Sequence, residues 1–170
     1  SGPVSTFAIE KAINKAGYEL GHTPWLAGDP RIWMTAGVGV LLFAASIGYL
    51  AASFLNGPVT RRYGVGGVLL GSSALVVLSA AAFAAAPSFV LLLLAAVFAG
   101  TGGGAIDAAI NGFAALRFSP GRVSWLHASY GVGAALGPVL MTAVLTAGLS
   151  WRWGYVVLGA LIAALGLCFA

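Results

Sequence analysis

Asp107 is the residue whose type and setting first suggest chemistry. It lies in FAGTGGGAIDAAINGF, residues 98 to 113, inside a stretch otherwise free of charge from Tyr63 to Leu116. Placing an aspartate at the centre of a bilayer costs about 2.5–3.5 kcal/mol on insertion scales, so an acid in such a place calls for a function. Helical spacing stacks Gly100, Gly103 or Gly104, Asp107 and Asn111 along one small, polar face, which should point into protein and away from lipid. A carboxyl group withdrawn from water with no cation beside it can exchange charge for neutrality near physiological pH, so the chemistry expected of Asp107 is reversible protonation. The competing expectation is an aspartate fixed in one state by hydrogen bonds from backbone, Asn111 or neighbouring helices, with no role in transport.

A second group of polar residues follows in WLHASYGVGAALGP, residues 125 to 138. Measured from the intervening segment 117 to 122, Asp107 lies about 15 Å deep, Asn111 about 9 Å and His127 about 7–8 Å. These depths put Asn111 and His127 within reach of each other across the hairpin, with His127 a proton relay or solute contact and Asn111 and Tyr130 further solute contacts. The bland alternative for His127 is a hydrogen-bonded interface residue. Gly131, Gly133 and Gly137 indicate tight helix packing, with a bend at Gly137-Pro138. No Ser sits with a base in a hydrolytic motif, and the glycines at 102 to 104 lack the preceding strand and following Lys-Ser/Thr of a phosphate loop. An enzyme is not expected, and the sequence implies no metal and no cofactor.

Helices must position these groups, and the composition says in what solvent. Hydrophobic residues make up 60% of the 170 and charged ones 7%, with a mean hydropathy of +0.99. These values exclude an ordinary soluble domain and a disordered chain, and one cysteine, Cys168, excludes a disulfide framework and a Cys-based zinc cluster. The net charge of +4 comes from basic residues scattered between apolar stretches, without a basic and aromatic patch, so nucleic acid is not an expected partner.

The expected fold is all-α, a polytopic transmembrane bundle of five spans at about 33–55, 65–86, 89–116, 123–148 and 154–170, with Pro87-Ser88 dividing one long apolar run. Trp33, Trp125, Trp151, Trp153 and Tyr155 suit the headgroup level. The segments 56 to 64 and 117 to 122 then share a face carrying Arg61, Arg62, Arg117 and Arg122, which the positive-inside rule makes cytoplasmic; the opposite face balances the count with Lys11, Lys15, Arg31 and Arg152. Residues 1–32 form a separate segment that cannot span, and FAIEKAINKAGYEL within it suggests a short amphipathic surface helix. Both ends of the chain look cut or processed.

With these residues in view, the sequence resembles the major facilitator superfamily. GPVTRRYG at 57 to 64 is similar to the loop between that family's second and third helices: Gly57, Val59, Arg62 and Gly64 match, while Arg61 stands where the family has Asp, so that Asp's gating contact is not implied here. GAALGP at 133 to 138 resembles the Gly-Pro motif of the fifth helix, with Met141 and Thr142 replacing the expected glycine pair. The series GTGGGAIDAAIN, WLHASYGVGAALGP and LSWRWGY looks like the fucose-permease-like branch, in whose fourth helix an acid is followed four residues later by Asn. The resemblance covers residues 33 to 170 as family helices two to six and leaves the first helix without a counterpart. It implies the N-terminal half of a proton-coupled symporter for a sugar or similar small polar solute, embedded in the cytoplasmic (inner) membrane. Asp107 would be the coupling acid, and a second six-helix half in the same or another chain the partner. The alternative is a non-transporting scaffold subunit derived from a transporter half, in which His127 could hold a pigment or haem.

Overall fold

The computed structural model describes Lys11 and residues 30–168. The amphipathic helix expected within residues 1–32 lies almost entirely outside them. The chain divides into two units, 1–39 and 40–170; in the first, the described residues from 30 onward begin a helix, and all that follows concerns the second.

The described residues are almost wholly α-helical: α1 (Pro30–Ala85), α2 (Phe89–Arg117), α3 (Pro120–Thr146) and α4 (Arg152–Leu167). α1 is two helices in one, because Gly64 adopts φ 73° and ψ 167° and interrupts the spiral, leaving an N-terminal arm to residue 63 and a C-terminal arm from 65 to 85. Residues 56–63, expected as a loop, are helical. Pro58 is accommodated within the helix, and the chain reverses at a single glycine with positive φ, Gly64.

Small residues set the packing. A Cβ on Gly48 would strike the Val97 carbonyl, one on Gly100 the backbone of Ala45, and one on Gly104 the backbone of Tyr49, so the N-terminal arm and α2 run side by side in the same direction. The C-terminal arm runs the other way along α2: Gly102 abuts Ser72 and Val76, and the Ser79 hydroxyl donates to the Ala95 carbonyl at 2.7 Å. Ser88 opens α2 by accepting from the Leu91 N–H at 3.4 Å.

α3 stays helical through Gly137 and Pro138. Its glycines 131, 133 and 137 have nothing within 4 Å, so the close packing expected of them is absent among the described residues. α3 ends in a Schellman turn: Gly148, at φ 73°, donates to the Leu145 carbonyl and Leu149 to that of Val144. α4 then folds back along the C-terminal arm of α1. The Phe83 and Tyr155 rings stack at 4.7 Å, and the Arg152 guanidinium donates to the Ala84 and Ala86 carbonyls at 2.7 and 2.8 Å, capping the arm's free C-terminal acceptors.

Burial is inverted relative to a water-soluble protein. The buried positions are mostly Ala, Gly and Ser with Asn56, whereas Phe43, Phe54, Leu116, Trp125 and Leu136 are among the many large apolar residues that face outward. Such a surface is stable against acyl chains and not against water. α1, α2 and α3 each have the length and apolarity to cross a membrane, while α4 is a shorter apolar helix.

Candidate functional site

The close approach at Gly100 and Gly104 fixes the site, because it lays Tyr49 of α1 beside Asp107, one turn further along α2. The Tyr49 hydroxyl donates to Asp107 Oδ2 at 2.6 Å, and Asn111 Nδ2 donates to Asp107 Oδ1 at 2.9 Å. Each carboxylate oxygen thus has its own donor, one from the next turn of the same helix and one from the neighbouring helix. Ser53, one turn beyond Tyr49, donates to the Tyr49 carbonyl at 2.8 Å and lies 3.4 Å from that of Gly104, adding a polar tie beneath the pair.

Tyr49, Asp107 and Asn111 line a cavity of about 770 Å³ between α1, α2 and α3. Gly103, Ile106 and Ile110 complete its α2 wall, and Leu126, His127, Ser129 and Tyr130 form the α3 wall. The structure therefore gathers Asp107, Asn111, His127 and Tyr130 around one space. The amide of Asn111 is turned to Asp107, and among the described residues no hydrogen bond joins it to His127 across the hairpin. The Ser129 hydroxyl is taken up by the Trp125 carbonyl of its own helix at 2.9 Å, whereas the Tyr130 ring stands open to the cavity side, 75% exposed.

Tyr49 is the participant that sequence reasoning missed. The available signal was a lone phenol in the apolar run GVGVLLFAASIGYLAASFL, where an unpaired hydroxyl is costly and implies a partner. Nothing in the spacing names that partner, 58 residues away.

The residues 57 to 64 lie elsewhere. Gly57 and Arg61 line a second cavity of about 560 Å³ with Arg117 from the end of α2. Arg62 lies over the Tyr63 ring at 5.4 Å, and Gly64 makes the chain reversal.

No curated protein and no solved structure matches the chain. The family model described as the Major Facilitator Superfamily matches residues 16–170, nearly the whole chain and all the residues of both cavities. This chain is a member of the Major Facilitator Superfamily, a family of membrane transporters.

Proposed function

We propose that this chain forms part of a proton-coupled secondary transporter for a sugar or similar small polar solute, with Asp107 as the protonatable group. Its helices would make five crossings, at about 33–55, 65–86, 89–116, 123–148 and 154–170, with the end bearing Arg61 and Arg117 facing the cytoplasm. Alternating access requires two helical halves that rock about a central site, so the working transporter includes a second half in the same or another chain.

The observation that carries this reading is the place of Asp107 on the wall of a solute-sized cavity; its two donors alone would serve an aspartate fixed in one state equally well. Tyr49 and Asn111 both donate, an arrangement that suits a carboxylate. When Oδ2 takes a proton it becomes a donor, and the Tyr49 hydroxyl, able to accept as well as donate, reverses its role. The phenolic hydrogen is then free to turn toward the cavity and meet a solute oxygen. Protonation and solute binding are thereby linked through one hydroxyl, and the link crosses from α2 to α1. A neutral polyhydroxylated solute suits the remaining wall: His127, Ser129 and Asn111 offer hydrogen-bonding groups, the Tyr130 ring offers an apolar face, and Asp107 is the one acid. A cavity of this volume lies within the range of small-molecule sites, roughly 300–1,000 Å³.

Uptake by the complete transporter carrying Asp107→Asn provides the test. The variant should lose accumulation driven by a pH gradient while still exchanging solute across the membrane. Unchanged pH-driven accumulation would remove the proposal.

A further inference from the structure

The cavity that holds Asp107 has two chemically different sides, and the transport reading uses only one of them. Ile106 and Ile110 lie together on one side of α2, while Asp107 and Asn111 each stand about 100° round the helix from the isoleucine before them. Gly103, with open space around it, falls between the two pairs. Packing fixes which side is which. The N-terminal arm of α1 brings Tyr49 to Asp107, whereas Ile106 and Ile110 pack against the cluster of Val68, Leu69 and Ala109 that joins α2 to the C-terminal arm. Across the space, Leu126 and Tyr130, four residues apart, share a face of α3. The cavity therefore offers hydroxyl, carboxylate and amide groups beside Tyr49 and branched aliphatic side chains away from it.

We propose that the solute is a sugar carrying an apolar substituent, an alkyl or aryl glycoside, whose ring hydroxyls meet Tyr49, Asp107 and Asn111 while the substituent lies against Ile106, Ile110 and Leu126. The proposal rests on the transport reading of this cavity and narrows its solute class. A bare sugar presents hydroxyls on every edge, and pressing them against aliphatic side chains strips them of water without giving them a partner, which is costly. A substituent free of polar atoms turns the same wall from a penalty into a source of affinity. The volume agrees. Roughly 150 Å³ is enough to hold one six-membered carbon ring, and about 770 Å³ leaves room for a second group beside the sugar.

Ligand-observed NMR on the complete transporter in lipid nanodiscs tests it, with empty nanodiscs subtracted and with D-glucose, D-galactose and their methyl and phenyl β-glycosides as probes. In the series that binds, the phenyl glycoside should bind roughly tenfold tighter than the methyl glycoside. Ile110→Ser should reduce that advantage to less than about threefold, and so should Leu126→Ser, at a half-buried position outside the Val68 cluster where the fold is less at risk. Leu136→Ser, an exposed position of α3 away from the cavity, should keep the full advantage. Equal affinity for the methyl and phenyl glycosides would overturn the proposal and leave the sugar reading standing. A phenyl advantage that survives both cavity substitutions, or one lost equally in Leu136→Ser, would also overturn it by placing the substituent elsewhere. Absence of binding by every probe would remove the sugar reading itself, and this proposal with it.

Discussion

Tyr49 and Asp107 meet through one 2.6 Å hydrogen bond between side chains 58 residues apart, and the functional proposal turns on that hydroxyl. If the hydroxyl is released to the solute on protonation, Tyr49→Phe removes one solute hydrogen bond and leaves the proton site in place. That hydroxyl is also the link between proton and solute, so the variant should lose most of its pH-driven accumulation while its apparent affinity for solute falls roughly threefold to tenfold, measured as the half-saturating concentration for uptake. Unaltered affinity would place the solute away from Tyr49. The acid and its amide were legible in the sequence because a helix puts residues 107 and 111 on one face by geometry alone. Tyr49 was not, since its partner depends on which helix packs against α2 and in what register. His127 shows the same limit: depth along the hairpin put it near the level of Asn111, and it lines the cavity that Asp107 lines, but the direction in which the Asn111 amide turns is set by Asp107.

That register belongs to the helices. α1 and α2 approach so closely at Gly48, Gly100 and Gly104 that a methyl group at any of them would overlap backbone, which cannot yield as a flexible side chain can. Gly104→Ala should destabilise the chain by about 1–3 kcal/mol, seen as a lower thermal unfolding midpoint in detergent. Gly103→Ala, one residue away with open space around it, should leave the midpoint unchanged. Equal effects at the two positions would show that helix propensity and not interhelical contact governs this stretch. The sequence marked 100 to 104 as a small-residue face, but four glycines in five positions leave the contacting ones undetermined, and only the structure separates Gly104 from Gly103. The same ambiguity explains α3, whose glycines 131, 133 and 137 were expected to pack and instead face open space. Residues 56–63 read as a loop between two spans, and they stay helical up to Gly64, because the reversal is made by that one residue's positive φ. Arg152 shows how an end is finished, its planar guanidinium bridging two carbonyls where a lysine would offer a single charged point.

Across the whole molecule the chemistry is concentrated by exclusion. Lipid-facing surfaces carry large apolar side chains, interiors carry Ala, Gly and Ser, and one carboxyl group occurs between residues 33 and 168. The all-helical membrane character was legible from composition and from the lengths of the apolar runs, since both are properties of sums over many residues. The contacts that join those runs are pairwise and were not. Because Asp107 has no acidic neighbour within the apolar helices, its protonation can be observed directly in the full chain, before any solute is identified. Infrared difference spectroscopy over the pH range in which uptake responds to a proton gradient, with Asp107→Asn subtracted to remove every other carboxyl group, measures it. A carboxylic C=O band that grows as pH falls, is absent from Asp107→Asn and changes frequency in Tyr49→Phe is the predicted result; a carboxylate spectrum that stays constant over the whole range would contradict proton coupling at this residue.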